Sequence, residues 1–183
     1  QLARWPFEGQ HIMANFDEKS ISVYQAYKPS IADYACQHQK FGGEFSFARM
    51  SWIKPNFLWM MYRSGWATKE SQERILEIRI KRSFFEEILS LAVPSTFSSE
   101  KYSNHAVWQE AVSQSDVRLQ WDPDHDPQGK PLTRRAIQLG LRGAALKRYS
   151  DELCWIKDIT DFVIQQKANI NDPEKLLLPY EDV

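Results

Sequence analysis

Cysteine and glycine are scarce in this chain, and their scarcity argues against several classes of protein. Among the 183 residues there are two cysteines, Cys36 and Cys154, and seven glycines. The two cysteines lie far apart and have no metal-ligand spacing, which predicts reduced, buried thiols. The chain has no Gly-rich phosphate loop, no Walker A pattern, and neither the GxSxG nor the HExxH motif. The sequence therefore contains none of these familiar catalytic motifs.

Long apolar runs and an excess of one charge are also missing. No run approaches the ~20 apolar residues that a membrane-spanning helix needs, and no basic-then-apolar leader is visible. We therefore expect a cytoplasmic protein with no membrane partner. The formal net charge of -1 provides no overall field that would draw the protein to nucleic acid. A nucleic-acid partner would need a local basic patch.

Aromatic residues, in contrast, are abundant, and they concentrate in residues 49–66, here called the tryptophan segment. Its aromatic landmarks are Trp52, Trp59 and Trp66. Its basic residues are Arg49, Lys54 and Arg63. Aromatic faces beside cations suit a planar, anionic ligand such as a nucleotide, whose base stacks and whose phosphates bind cations. On that interpretation Trp52 and Lys54 belong to the binding site, whereas the alternative is a core helix with basic residues that extend to solvent.

Proline separates the first of these tryptophans from the other two. Pro55 fits the first turn of a helix over residues 55–63, and the Ser64-Gly65 pair ends that helix. Residues 51–54 are expected to be extended, because the residue before a proline avoids the helical region. Trp52 and Trp59 then do not share one helix, which weakens the interpretation of the segment as a single packed stripe.

The alternation of apolar and polar residues predicts at least four strands. They cover residues 21–27, 74–82, 117–121 and 134–141. About five helices are interspersed with them, mostly without clean βαβ alternation, which indicates an α+β fold with mixed or mainly antiparallel sheets. We expect a single domain over residues 1–183, with an irregular N-terminal segment over 1–15 and a C-terminal tail over 172–183.

Two polar features of the strands are candidates for function. Gln25 interrupts the apolar face of the first predicted strand, and a buried amide must either find hydrogen-bond partners or face a pocket. Arg135 belongs to a small basic cluster at the start of the last predicted strand. That cluster is either a solvated sheet end or a phosphate clamp.

Residues 122–129 are predicted to form a loop, and four of them resemble metal ligands. These are Asp122, Asp124, His125 and Asp126. Their spacing lacks the glycine and the distal glutamate of a calcium loop, and acidic turns bounded by proline are common. We therefore expect no metal.

Six segments carry a resemblance to a known family. They are residues 23–27, 49–55, 59–66, 72–74, 117–123 and 135–141. On these segments the chain resembles the uncharacterised family known as domain of unknown function 4291, over about residues 10–162. One departure is Met13, which lies where the family usually has an arginine. The departure bears on activity if that arginine binds a phosphate.

A weaker resemblance is to the ADP-ribosyltransferase-type folds, which begin with a tyrosine-containing strand, a helix and an aromatic-rich segment. Enzymes of that type bind NAD in a cleft between small sheets. The resemblance implies that Tyr24 is the strand tyrosine and that Gln25 contacts a ribose. It also implies that Tyr62 or Trp59 stacks on nicotinamide.

The same resemblance implies two further roles. Arg63 or Arg135 would hold the pyrophosphate. Gln138 lies on a late strand, where these enzymes usually have a catalytic glutamate, and it departs from that pattern. Some members of the superfamily that act on RNA use arginines and histidines instead.

Three functions stay open on this sequence. The first is a transferase that uses NAD to move ADP-ribose to a nucleotide or a nucleic acid such as RNA. That reaction needs stacked nicotinamide, clamped pyrophosphate and an electron-rich group beside the reacting ribose, and the tryptophan segment supplies the first two. The second is a non-catalytic module that binds RNA or nucleotide. The third is a structural protein in which the tryptophan segment is core.

Overall fold

The computed structural model describes residues 5–183, and over that range the chain forms seven strands and six helices. In chain order they are β1 Ser20–Tyr27, α1 Pro29–His38, β2 Ser51–Ile53, α2 Phe57–Ser64, β3 Arg74–Lys81, α3 Arg82–Ser90, β4 Val93–Pro94, α4 His105–Gln114, β5 Val117–His125, β6 Pro131–Leu141, α5 Gly143–Asp151, β7 Leu153–Asp158 and α6 Thr160–Ala168. The predicted α+β fold is confirmed.

The strands form two small sheets that meet at one point. The first sheet has the order β1-β3-β7, and both of its pairs are antiparallel. The second has the order β2-β6-β5-β4, in which β4 runs parallel to β5 and the other pairs are antiparallel. The prediction of mixed or mainly antiparallel sheets is confirmed. The sheets meet where the backbone N–H of Tyr24 donates to the carbonyl of Lys54, at 2.7 Å.

Strand β1 separates two hydrophobic cores. Side chains alternate across a strand, so Ile21 and Val23 face the larger core while Tyr24 faces the smaller one. The larger core also takes Leu139 from the second sheet, whereas the smaller core is built mainly on α2. Because both faces of β1 are buried, a slip of one residue would exchange all of its side chains between the cores.

Helix α2 is fixed at both ends by local chemistry. Asn56 caps its start, where the side chain accepts a hydrogen bond from the N–H of Trp59 at 2.6 Å. Gly65 ends it in the left-handed region at φ 60°, a conformation that glycine adopts without strain. The helix predicted after Pro55 and its predicted stop are confirmed, and Trp52 lies outside the helix on β2.

Two local predictions are wrong. The loop predicted over residues 122–129 is strand as far as His125, because the pairing of β5 with β6 continues past the proline and a register shift accommodates it. The thiols were predicted to be buried, yet Cys154 is exposed on β7 and Cys36 is only partly buried. Strand β7 is an edge strand, which leaves its outer side chains in solvent.

The predicted C-terminal tail packs against the body of the protein. The carbonyl of Glu181 accepts a hydrogen bond from Nε1 of Trp5, and Asp182 exchanges two backbone hydrogen bonds with Ala14. The buried carboxylate of Glu181 accepts from the N–H of Phe57 at 2.6 Å, at the first turn of α2. Residues 1–4 of the predicted irregular N-terminal segment lie outside the described residues.

Candidate functional site

A cleft of about 750 Å³ opens where the two sheets meet. Strand β1 lines one side of it, and β2, β5 and β6 line the other, while α2 and the loop after it contribute to the rim. Five of the residues that the sequence nominates line this cleft: Gln25, Trp52, Lys54, Arg63 and Gln138. Arg49 of the tryptophan segment lines it as well.

Lys54 is a buried cation at the junction of the sheets. The residue is 4% exposed, and it lines the cleft. Among residues 5–183 its ammonium makes no hydrogen bond or ion pair. Burial lowers the pKa of Lys54 to about 8, the nearby Arg63 guanidinium acts in the same direction, and Asp122 acts in the opposite one. A buried lysine held beside a second cation is poised to accept an anionic ligand.

The two arginines of the cleft are not neutralised by the protein. Arg49 and Arg63 are exposed, and within the described part of the chain neither guanidinium forms an ion pair. The acidic residues of the cleft do not compensate them, because Glu44 is paired with Lys28 and Glu70 is exposed at the rim. Within residues 5–183 the cleft therefore offers three cations that form no ion pair, although the Asp122 carboxylate lies near enough to Lys54 to act on its pKa.

Gln25 is the centre of a buried hydrogen-bond network. Its Nε2 donates to Oγ of Ser51 at 2.8 Å and to the carbonyl of Trp52 at 3.2 Å. Its Oε1 accepts from the hydroxyl of Tyr149 at 2.9 Å, and Tyr27 adds a further contact to Ser51 at 3.1 Å. Since both amide hydrogens are used inside the protein, Gln25 reaches a ligand mainly through the position of Ser51. The ribose contact that the resemblance implies for Gln25 stays a prediction.

Gln138 belongs to a second polar group, on the face of the second sheet that borders the cleft. It lies opposite Gln120 in the register of β5 and β6. Both amides donate to one carboxylate: Nε2 of Gln138 to Oδ2 of Asp122 at 2.6 Å, and Nε2 of Gln120 to Oδ1 at 2.9 Å. This arrangement fixes both glutamine side chains in the cleft that Lys54 also lines.

Four nominated residues lie outside the cleft, for reasons of strand and helix geometry. Tyr24 follows the alternation of β1 into the smaller core, on the face opposite Gln25. Arg135 is exposed on β6 and differs from Gln138 by an odd number of residues, which directs it to the other face. On α2, Met60 and Arg63 border the cleft, whereas Trp59 and Tyr62 share a neighbouring helix face.

The rings on that neighbouring face stack on a histidine instead. The centroids of Tyr62 and His125 are 3.5 Å apart with an interplanar angle of 10°, and those of Trp59 and His125 are 5.3 Å apart. Trp59 is 7% exposed, and Trp66 is equally buried. The tryptophan segment thus divides, with Trp52 at the cleft and the other two indoles in the interior.

Met13 and two of the aspartates that resemble metal ligands contact other residues of the protein. Met13 is buried in the smaller core and does not line the cleft. Asp124 pairs with buried Arg134, whose Nε donates at 2.7 Å, while Asp122 binds the two glutamines. Across residues 5–183 no three histidine, cysteine, aspartate or glutamate side chains lie close enough together to hold a metal ion.

Sequence reasoning missed Ser51, Tyr27 and Gln120 as cleft residues. Gln120 could have been found from the sequence, because it is a polar amide on the strand predicted over residues 117–121. Gln25 was found in that way on the first predicted strand. Ser51 had no such signal, because its place depends on how β2 meets β1.

The fold and the cleft together define an α+β protein in which two small sheets enclose a basic site lined with amides. The chain belongs to the family described as domain of unknown function (DUF4291), whose model matches residues 11–183. This match confirms the first resemblance drawn from the sequence. Among curated proteins, none matches the chain. No helix within residues 5–183 has the length and apolar character that crossing a bilayer requires.

Proposed function

We propose that the cleft binds a nucleotide, with its phosphates held by Arg49, Lys54 and Arg63. The observation that carries this proposal is the unpartnered ammonium of buried Lys54 beside the Arg63 guanidinium. The repulsion between these two cations is opposed in part by the Asp122 carboxylate, and a phosphate between the cations would attract both of them. A neutral ligand would leave the repulsion in place.

Trp52 is the aromatic residue of the cleft best suited to the base. It is half-buried on β2, two residues before Lys54, so both side chains leave the strand on the same face. A base stacked on the indole would therefore have its phosphates within reach of the cations. Stacking on a tryptophan tolerates any base, so this contact gives affinity rather than base selectivity.

The reaction that we propose is the NAD-dependent transfer of ADP-ribose to a nucleotide or a nucleic acid such as RNA. Support comes from the weaker sequence resemblance and from a cleft bordered by two small sheets, with cations that suit the pyrophosphate of NAD. In that reaction the bond between nicotinamide and the ribose of NAD would break, nicotinamide would leave, and the ADP-ribosyl group would bond to the acceptor nucleotide or nucleic acid. The residues of this chain would hold the pyrophosphate, stack one ring and exclude water from the floor of the cleft.

Calorimetric titration with NAD, ADP-ribose, ATP and a short RNA tests the binding. We expect Arg63→Ala to weaken the affinity for the bound nucleotide by about 1.5–3 kcal/mol, as the loss of a charge-assisted contact does. The matched control is Arg135→Ala, which removes an exposed arginine of β6 that does not line the cleft. The proposal that the nucleotide binds in this cleft would be wrong if Arg63→Ala bound as tightly as the parent. It would also be wrong if only Arg135→Ala lost affinity.

The pH dependence of binding gives a second test. An anion bound beside Lys54 raises the pKa of that lysine above its value of about 8 in the free protein. The complex then holds more protons than the free protein, so affinity should fall as pH rises above about 8. Lys54→Met should both weaken binding and abolish this part of the pH dependence. A pH-independent affinity between pH 7 and 9 would exclude contact with Lys54.

The second candidate function is a non-catalytic module that binds RNA or nucleotide. It is favoured by the engagement of the nearest carboxylate, Asp122, with two glutamines rather than with open cleft. Mass spectrometry of released nicotinamide separates the two candidates. Tight NAD binding without nicotinamide release would favour the module over the transferase.

A further inference from the structure

The polar group formed by Asp122, Gln120 and Gln138 has a chemical consequence for any ligand of the cleft. A carboxylate only accepts hydrogen bonds, so both glutamines must turn their Nε2 atoms toward Asp122. Both Oε1 atoms must then point away from it. Within the described residues neither Oε1 accepts a hydrogen bond, and neither is sealed from solvent. Two fixed, free acceptors therefore remain on side chains that line the cleft.

The position of these acceptors relative to the cations follows from the sheet register. Ile53 pairs with Leu139, and both side chains enter the larger core. By alternation, Lys54 and Gln138 both leave the sheet on the cleft face, as neighbours on adjacent strands. Gln120 lies opposite Gln138 on the next strand. Lys54, Gln138 and Gln120 thus form a row across the sheet, with the cation at one end and the acceptors beside it.

We propose that the Oε1 atoms of Gln120 and Gln138 accept hydrogen bonds from the ribose hydroxyls of the bound nucleotide, with Asp122 as the residue that positions them. This proposal rests on the proposed function, because it takes the phosphates to lie at Lys54. In a nucleotide the ribose lies next to the phosphates, as the acceptor pair lies next to Lys54. A vicinal diol presents two donors from adjacent carbons, which matches two neighbouring acceptors, and the cleft would thereby select ribonucleotides over deoxyribonucleotides.

The direct test is calorimetry with ADP, 2′-deoxy-ADP and 3′-deoxy-ADP. Each missing hydroxyl should weaken binding to the parent protein by about threefold to tenfold, the usual range for one hydrogen bond. Equal affinities for all three nucleotides would overturn this proposal and leave nucleotide binding intact. Failure of all three to bind would overturn this proposal and the proposed function together.

Two variants test the positioning role of Asp122. Gln138→Leu removes one acceptor without a change of charge. Asp122→Asn offers one acceptor and one donor, so one glutamine must rotate and turn its carbonyl inward. In both variants the ratio of deoxy to ribo dissociation constants should fall, for one of the two deoxynucleotides, to about half or less of its parent value, toward one. The ratio cancels the general gain in anion affinity that Asp122→Asn brings by removing a negative charge near Lys54.

The matched control is Asp126→Asn, on the same stretch of chain. Asp126 accepts a hydrogen bond from the N–H of Lys130, which asparagine can also accept, and it does not line the cleft. Its substitution should leave the ratio of deoxy to ribo dissociation constants unchanged for both deoxynucleotides. A merely structural role of Asp122 would lower the affinity for all three nucleotides in parallel, and an unchanged ratio in Asp122→Asn and Gln138→Leu would overturn the proposal.

Discussion

Gly140 lies directly beneath the indole of Trp52, its partner in the register of β2 and β6. A Cβ atom at position 140 would come within 3.0 Å of Cε2 of Trp52 and within 2.7 Å of Sδ of Met50. Real Cβ atoms essentially never come within 3.0 Å of such an atom, so a side chain at this position must displace the Met50 thioether. Its contact with the Trp52 indole would be tighter than nine in ten real Cβ contacts, so the indole would have to shift by a few tenths of an ångström. The absence of a side chain at Gly140 therefore sets where the aromatic surface of the cleft lies.

Gly140→Ala should move the Trp52 indole and weaken the binding of nucleotides, while pyrophosphate affinity stays close to that of the parent. Loss of one aromatic stack reduces affinity by about 1–3 kcal/mol. Calorimetry with ADP and with inorganic pyrophosphate measures the two parts separately. In a Trp52→Ala background the glycine substitution should have little further effect on ADP binding. A full additional loss in that background would refute the link between the two residues.

Lys54→Met should stabilise the protein at pH 7 even as it impairs ligand binding. The pKa of Lys54 is lowered from an ordinary 10.5 to about 8. Between these values the unfolded chain binds the proton and the folded chain does not, so stability rises with pH across that window. Below about pH 8 the buried charge destabilises the fold by a nearly constant amount, on the order of 3 kcal/mol.

Urea unfolding at pH 7 and at pH 10 measures this effect. The gain from Lys54→Met should be largest at pH 7 and should shrink by pH 10, where the folded protein already holds Lys54 neutral. Lys157→Met, on the exposed side of β7, is the matched control and should change stability little at either pH. An equal destabilisation by Lys54→Met at both values would contradict the assignment of a buried, charged lysine.

Several features of the fold could be predicted from the sequence alone, because they depend on local patterns. Local patterns were sufficient for the strand alternation of β1 and β3, for the helix after Pro55 and for its end at Gly65. They also nominated Lys54, Arg63 and Trp52 for one site, because the chain keeps those residues within a dozen positions. What they could not show is which face of each element meets the partner sheet, since that depends on contacts between β1 and β2 that are remote in sequence.

Trp59 and Tyr62, which the resemblance places at the ligand but which lie outside the cleft, show the same limit of local patterns. Trp59 and Tyr62 are three apart on α2, as are Met60 and Arg63, and nothing in their spacing tells which pair faces the cleft. The stack on His125 decides it, and His125 lies more than sixty positions later on β5. The sequence did not predict that β5 extends to His125, because the prolines and aspartates around His125 favour a turn. In the structure, pairing with β6 outweighs that local turn propensity.

Gln25→Leu should lower the stability of the fold as well as the affinity of the cleft. The substitution leaves the fully buried hydroxyl of Tyr149 without its acceptor and frees Ser51 from one donor. An unsatisfied buried polar group costs about 1–3 kcal/mol. Chemical unfolding of Gln25→Leu, Tyr149→Phe and the double variant should show a double-variant cost smaller than the sum of the two single costs.

The alternative for Gln25 is a direct contact with the ligand, as the resemblance implies. In that case Tyr149→Phe would leave nucleotide affinity unchanged, whereas a positioning role predicts that it weakens binding in the same direction as Gln25→Leu. Ser51→Ala is the matched test of the intermediate residue. If Ser51→Ala binds ADP like the parent while Gln25→Leu does not, Gln25 acts on the ligand directly.

Removal of residues 179–183 should destabilise the protein by about 3 kcal/mol, although these residues form no helix or strand. The segment supplies two backbone hydrogen bonds to Ala14, one acceptor for Trp5 and the carboxylate that accepts from the N–H of Phe57. Each such bond contributes about 1 kcal/mol. The buried Glu181 offsets part of this, because burial raises the pKa of its carboxyl group well above the ordinary value.

The contribution of Glu181 to the free energy of unfolding depends on pH, and the direction of that dependence can be tested. With a raised pKa in the folded protein, Glu181 binds a proton that the unfolded chain has released, so its contribution to stability is lost as pH rises above about 4.5. Removal of the segment should therefore cost more stability near pH 5 than near pH 8, as urea unfolding at the two values would reveal. Removal of Val183 alone, whose side chain is exposed, is the control and should cost little. A loss that grows with pH would instead mean that Glu181 is stabilised in its charged form by the first turn of α2.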